Sequence, residues 1–388
     1  MSPFKNVKGF ISDFASAIRG EVTADTSETE GIEKENIQSF KSFSMESTTS
    51  RVYTPGNGYV YHIFTQPGKF IIYNAGYVDM MLVAGGGGGG GADLSQGQSS
   101  LKAYGGGGGG GGVVHKYNIF LNEEIYGVKV GGGGCGRGAQ GLTESRVDGE
   151  DSVVYNNRSN HPDYRFNVIA YGGGAGGTAY APRVNGNPGG CGGGGASLGY
   201  PTSNPWPGRG GTGTAGQGCD GSDQVAEEGN YDSDAAVGCG GGALTPGRSS
   251  DPPYVPRGGG CGAAAFGGDD GIPIAYGEIL DPGTTLNFQS LYSSGHPTAN
   301  ILPGARYFGG GAGSFSRGGG LGGAALGNPS PRKALRSSGG GGGYAYLSSP
   351  GPQPTYEYGG TPGAPGIVII RYKAVSYTHL TLPTIYSV

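Results

Sequence analysis

Long apolar runs are missing from this chain. Stretches such as Val78–Ala84 and Ile367–Ile370 fall far short of the ~20 residues that a transmembrane helix needs, so no membrane insertion is expected. The N-terminal "MSPFKNVKGFISDFASAIRG" has no long apolar core and no cleavage site, which argues against a secretory leader. An excess of one charge is lacking too. Lys plus Arg number 25 against 29 Asp plus Glu, leaving no polybasic field for nucleic acid.

Cysteine is scarce, and its arrangement excludes the usual uses. Cys135, Cys191, Cys219, Cys239 and Cys261 each follow a glycine, and an odd number cannot complete an intramolecular disulfide framework. Neither CxxC nor Cys/His zinc spacing occurs, so they read as small apolar side chains in tight places. His62, His115, His161 and His296 are scattered, and no Ser/His/Asp, Cys/His or paired-carboxylate arrangement stands out. No enzyme activity, cofactor or metal is therefore expected. The acidic stretch Asp220, Asp223, Glu227, Glu228, Asp232 and Asp234 could bind calcium but lacks EF-hand spacing, and a solvated loop explains it as well. GxGxxG matches carry no information in a chain this rich in glycine.

What the chain has instead is glycine: 89 residues of 388, with 25 prolines. Ten glycine-dominated segments, 85–91, 105–112, 131–138, 172–177, 189–195, 208–221, 238–242, 258–268, 309–323 and 339–343, alternate with connections rich in Tyr, Pro, Asn and Ser. A flexible linker would be uniformly polar and featureless. An extended three-residue helix makes no internal hydrogen bonds, so its N–H and C=O groups point outward to neighbours, and glycine lets such backbones approach closely. One isolated run cannot offset the entropy that glycine loses on ordering. A bundle of ten can, and seven residues at a ~3.1 Å rise would make a rod of roughly 22 Å.

Around the glycine, other patterns appear. Phe4, Val7, Phe10, Ile11, Phe14 and Ile18 recur at helical spacing, predicting an amphipathic helix over 3–19 within an attachment segment 1–20. A polar, acidic linker is expected over 21–50. Alternating runs then predict strands in "YVYHIFT", "KFIIYN", "YVDMMLVA", "VVHKYNIFL", "EIYGVKV", "SVVYN", "FNVIAY" and "GIVIIRYK". The fold class expected is mainly β and irregular: a small antiparallel β-sandwich built from 51–84, 113–130, 152–171 and 366–373, with a bundle of polyglycine-II helices over 85–365 and the short N-terminal α-helix.

The sequence "VDMMLVAGGGGGGG", then "YGVKVGGGGCGRG", "NVIAYGGGAGG" and a closing "GGTPGAPGIVIIRYK" resembles the glycine-rich tail-fibre and tail-tip proteins of bacteriophages over about residues 51–373. The resemblance implies a virion adhesin whose loops recognise a host surface receptor, protein or polysaccharide, and which joins the tail through its N-terminus. It also implies synthesis in the host cytoplasm. "VSYTHLTLPT" at 375–384 resembles a translated sequencing adaptor, so 375–388 are expected to be non-native, Lys373 the last native residue, and the source an environmental assembly.

If glycine segments alternate in direction from 172 onward, connections 178–188, 222–237, 269–308 and 344–358 join 92–104 at the end far from the sandwich. Tyr104, Tyr180, Tyr231, Tyr276, Phe288, Tyr292, Tyr346 and Tyr356 lie in or beside these connections. Tyrosine among Ser, Asn and Gly is the composition that binding loops favour, although such rings could equally cap the bundle. Two rival functions are a structural wall or matrix protein and an ice-binding protein. A matrix protein needs no varied Tyr/Trp/Pro connections, and an ice binder would show short, uniform ones.

Overall fold

A computed structural model describes residues 45–54, 58–91, 103–136, 148–156, 166–179, 184–198, 208–224, 238–247, 259–260, 262–264, 307–313, 334, 337–343, 346–347 and 359–374. The described part is mainly β, its strands paired antiparallel, and it contains no helix. The segment expected to be helical, 3–19, and the adaptor-like 375–388 lie outside the described residues.

Every apolar run read from the sequence is a strand. In chain order these are β1 (Met45–Ser47), β2 (Arg51–Tyr53), β3 (Tyr59–Phe64), β4 (Gly68–Ile72), β5 (Gly76–Val83), β6 (Ala103–Tyr104), β7 (Val113–Leu121), β8 (Ile125–Lys129), β9 (Ser152–Asn156), β10 (Asn167–Ala170), β11 (Ser197–Leu198), β12 (Ala263–Ala264), β13 (Tyr307–Phe308), β14 (Tyr346–Leu347) and β15 (Ile367–Lys373). Strand β1 falls inside the stretch 21–50 expected to be a linker. It lacks an apolar alternation and is held by backbone pairing of Met45 to Ile72 and Ser47 to Phe70.

Two five-stranded sheets, β1-β4-β8-β9-β10 and β2-β3-β15-β5-β7, enclose one core. Phe70, Tyr126, Val128 and Val154 from the first sheet meet Phe64, Met80, Leu82, Val368 and Ile370 from the second. The period of two explains this: alternate residues of each strand face inward. The C-terminal β15 is inserted between β3 and β5, with Ile369 opposite both Ile63 and Met81. This register returns the end of the chain to the point where the first glycine run departs.

Beyond Val83 the backbone changes character. The residues 84–91 are buried yet belong to no sheet, and their hydrogen bonds leave in turn for different neighbours. Gly85 N–H donates to Glu150 O at 3.0 Å, Gly86 to Ala364 O at 2.9 Å and Gly87 to Gly109 O at 2.9 Å. Three residues on, the same partners recur: Gly89 donates to Thr361 O at 3.0 Å and Gly90 to Gly106 O at 2.9 Å.

The run 105–112 is the centre of the array. Gly106, Gly109 and Gly112 donate to Gly177, Gly174 and Tyr171; Gly107 and Gly110 to Gly238 and Gly241; Gly108 and Gly111 to Gly342 and Gly339. Its carbonyls at 112, 109 and 106 accept from Ala84, Gly87 and Gly90, those at 110 and 107 from Cys191 and Gly194, and that of 108 from Ala312. Six segments thus surround one, five of them bonded at every third residue and the sixth through Ala312 alone. Some run parallel to it (238–241) and others antiparallel (171–177), and six lateral neighbours exceed the two that a strand in a pleated sheet can have.

Along 85–90 this packing leaves no room for a side chain. A Cβ built on Gly85, Gly86 or Gly87 would strike the carbonyl of Gly132, Gly340 or Gly174, and one on Gly88, Gly89 or Gly90 that of Cys135, Gly343 or Gly177. Here too the neighbour recurs every third residue. At the perimeter, carboxylates take over the pairing. Asp148 Oδ1 accepts from Ala175 N at 2.8 Å, Asp151 Oδ1 from Gly172 N at 2.8 Å, Asp220 Oδ1 from Gly213 N at 2.7 Å and Asp223 Oδ1 from Gly210 N at 2.8 Å.

Candidate functional site

The far end of the array is closed by a small sheet, β11-β6-β14. Tyr104 lies at its centre, paired with Ser197 on one side and Tyr346 on the other. Its side chain is 6% exposed, so the ring is withdrawn from solvent and closes the array. Tyr346 sits directly across from it on β14. Tyr180, Tyr231 and Tyr356 lie outside the described residues. The residues flanking their connections are at this same end: Ala179 N–H donates to Gly91 O at 3.1 Å, Gln224 N–H to Gly208 O at 2.9 Å, and Gly360 packs on Gly89.

Tyr276, Phe288 and Tyr292 also lie outside the described residues, and the strands that bracket them are at the opposite end. Ala263 pairs with Phe308. Phe308 precedes Gly309, whose built Cβ would stand 2.9 Å from Val113 Cγ2 on the sandwich. The described residues that flank the connection 269–308 therefore lie beside the sandwich, whereas the sequence reading expects them at the far end. The reason is three uncounted passages, an odd number that reverses the expected direction. One is a fold-back inside 208–221, where Thr214 N–H donates to Gly190 O at 3.0 Å and Gly221 N–H to Gly211 O at 2.9 Å; the other two are not recognisable as glycine segments. Residues 184–190 run back toward the sandwich, from Val184, whose O accepts Ala196 N at 2.7 Å, to Gly190, which donates to Gly172 O at 2.6 Å. A turn at 242–245 then starts another passage, with Gly242 donating to Thr245 O at 2.9 Å and Gly247 to Asp220 O at 3.0 Å.

Several polar features were not foreseen. Arg371 is 4% exposed, and its Nε donates to Asp79 Oδ2 at 2.9 Å. The guanidinium also lies over the Tyr59 ring, 4.4 Å from its centroid. One charged residue inside each of two apolar strands, "YVDMMLVA" and "GIVIIRYK", was the available signal, and their pairing follows from the register Arg371 to Asp79. Asp79 Oδ1 in turn accepts from Asn118 N at 2.9 Å, at a bulge where Asn118 adopts a φ of 53°.

His62 is buried in the sandwich core. Its ring stacks on Tyr372 at 5.8 Å, its Nδ1 lies 3.0 Å from Ser47 Oγ, and desolvation pushes it down to about 4. His115 is also lowered to about 4, by desolvation first and by the charge of Arg371 second. Cys191 is fully buried, with Sγ 3.6 Å from Gly111 O, and burial pushes its thiol far up. Cys135 is exposed, Cys239 buried, and the four described cysteines are all free thiols. Cys261 lies outside the described residues. Among the described residues no group of three His, Cys, Asp or Glu is placed to hold a metal, and no helix is long and apolar enough to cross a membrane.

Exposed aromatics also escaped the sequence reading. Tyr77 and Phe120 pack edge to face at 5.1 Å on the sandwich, both at least half exposed. Alternation predicts their strands but does not say which face carries these rings outward.

A small all-β sandwich that launches buried, mutually hydrogen-bonded glycine segments defines a glycine-rich domain protein. The match to the family described as "Glycine-rich domain" runs over residues 65–373, most of the chain, and the chain belongs to that family. Among curated proteins no match was found.

Proposed function

We propose that the glycine segments are polyglycine-II helices bundled into a rigid scaffold, and that the scaffold presents receptor-binding connections at its far end on a bacteriophage tail fibre or tail tip. The observation that carries the reading is the six-neighbour, every-third-residue hydrogen bonding of 105–112, which matches the periodicity of a threefold helix. A lattice bonded in all lateral directions is stiff, and stiffness lowers the ordering cost that loops pay on binding a receptor. The resemblance of "VDMMLVAGGGGGGG" and "GGTPGAPGIVIIRYK" to phage adhesins supplies the biological setting. In that setting the protein is a virion component that binds a host surface and performs no catalysis.

Far-end anchoring narrows the binding set to the connections bearing Tyr180, Tyr231, Tyr346 and Tyr356. The decisive experiment uses fluorescently labelled protein and a panel of bacterial isolates. Surface binding to at least one isolate should fall in the Tyr231→Ala and Tyr356→Ala chains and persist in Tyr73→Ala, an exposed sandwich position. Binding to no isolate, or equal binding by all three variants, would remove the adhesin reading.

A further inference from the structure

The neighbours of the segment 171–177 can be read off in turn. A Cβ built on Gly172 would meet Gly149 O, Gly173 N–H donates to Gly85 O, and a Cβ on Gly173 would meet Gly109 O. Gly174 N–H donates to Cys191 O, and a Cβ on Gly174 would meet Asn187 O. Five lateral directions are thus filled by five backbones. Among the described residues no backbone fills the sixth, the row of the Gly172 and Ala175 amides. There the acceptors are Asp151 Oδ1 and Asp148 Oδ1, each at 2.8 Å. Asp148 Oδ1 also accepts from Asn187 Nδ2 at 2.9 Å, so the carboxylate bridges from its own segment to 184–187.

The same arrangement recurs at a second place. Asp148 and Asp151 belong to "DGED", and Asp220 and Asp223 to "DGSD". On the segment 208–214, Asp223 and Asp220 take the amides of Gly210 and Gly213, and Asn185 Oδ1 takes that of Arg209 at 2.9 Å. The glycine after the first aspartate of each motif bonds the same segment: Gly149 N–H donates to Gly173 O at 2.8 Å and Gly221 N–H to Gly211 O at 2.9 Å. A spacing of three is one turn of a threefold helix, so two carboxylates three apart close two successive amides of one row. A third edge is closed by other means. In "TPGAP", Thr361 and Ala364 donate to Gly343 O and Gly340 O, while Gly363 and Gly366 donate to Gly134 O and Gly131 O. The remaining row holds Pro362 and Pro365, both exposed and both without an N–H.

We infer that Asp148, Asp151, Asp220, Asp223, Pro362 and Pro365 are lateral stops, which close the amide rows on which an extended glycine segment of a second copy would otherwise seat. An edge of unpaired backbone amides is a template for another chain. The chemistry that fits such a row here is an extended glycine backbone, and every copy carries ten glycine-dominated segments. Direction is no obstacle, because 105–112 accepts parallel and antiparallel neighbours alike. Without stops the array could continue from copy to copy. The inference rests on the lateral bonds of the array and not on the phage setting.

The test compares full-length variants. Asp148→Ala with Asp151→Ala leaves two amides open and removes no bond between backbones. Exchange of Gly172 and Ala175, followed in the peptide spanning 171–177, should rise roughly fivefold, the equivalent of one hydrogen bond each, while the peptide 105–112 stays as protected as before. Sedimentation velocity over a concentration series should then show association beyond that of the unchanged chain. Asp148→Asn with Asp151→Asn keeps an acceptor oxygen at both places and should match the unchanged chain in both measurements. Pro362→Ala with Pro365→Ala adds two outward N–H groups and removes no hydrogen bond, so it should associate too, and it decides the matter if the aspartate pair unfolds. A folded alanine pair that sediments as the unchanged chain does would overturn the inference. So would an asparagine pair that associates as the alanine pair does, since charge would then be the agent, or a folded proline pair that does not associate. None of these readouts involves a host surface, so they succeed or fail apart from the adhesin reading.

Discussion

Replacing Gly108 by alanine places one methyl group in the most crowded part of the array. The built Cβ falls against the carbonyl of Gly87 and 2.9 Å from Gly88 O, both backbone atoms that cannot rotate away. Relief requires the segment 84–90 to move off, which strains the bonds from Ala84 to Gly112, Gly87 to Gly109 and Gly90 to Gly106. Three hydrogen bonds at about 1 kcal/mol each, with overpacking of about 1–3 kcal/mol, give a loss of about 4–6 kcal/mol. That is a large part of the ~5–15 kcal/mol stability of a typical domain. Gly132→Ala is the matched control. Its built Cβ has nothing nearer than Glu150 Cδ at 3.8 Å, so the change should be neutral, or stabilising by about 0.4–1 kcal/mol through the unfolded chain. Guanidinium denaturation followed by far-ultraviolet circular dichroism reads both. Equal midpoints for Gly108→Ala and Gly132→Ala would refute the lattice packing.

Three further outcomes follow from side chains at the joints. Ser152 Oγ is buried, donates to Val83 O at 2.7 Å and accepts from Gly131 N at 2.9 Å, so Ser152→Ala should cost about 1–3 kcal/mol by leaving the N–H and the carbonyl unpaired. The depressed His62 means that the folded state holds a neutral ring while the unfolded chain takes a proton near 6.5. Stability is then full above about pH 6.5 and falls toward pH 4 at up to about 1.4 kcal/mol per pH unit; His62→Phe should flatten that slope in melts taken across the range. A thiol reagent applied to the native protein should label Cys135 quickly and spare Cys191 and Cys239, as peptide mass spectrometry would show, and labelling of all three at one rate would contradict their burial.

The strands were legible because side chains encode them. "YVYHIFT" and "GIVIIRYK" carry a period of two, and both became paired strands with the registers their alternation allows. Arg371 and Asp79 were visible as charges in apolar runs, but their partnership depends on β15 entering between β3 and β5, which no local pattern states. The glycine segments were legible as packed segments and illegible in direction. A residue without a side chain marks no face, so order and polarity rest on counting passages. Counting failed at Val184–Pro188 and Thr245–Gly247, where Asn, Pro and Thr interrupt the glycine, and inside 208–221, where one glycine-dominated segment turns back on itself and makes two passages. The consequence is that the described residues flanking the connection 269–308 lie beside the sandwich. Tyr104 shows the other limit: aromatic composition does not separate a ring that binds from a ring that closes.

The central claim is that the glycine runs form a cooperatively folded lattice. All seven amides from Gly106 to Gly112 donate to other segments, none within the run, so they are protected only if the three accepting segments, 171–177, 238–241 and 339–342, are in place. Hydrogen exchange of the peptide spanning 105–112 measures this directly. The account predicts exchange as slow as that of β15 and β5, lost in one step with global unfolding. Exchange of that peptide at the rate of an unfolded chain, while the sandwich strands stay protected, would contradict it.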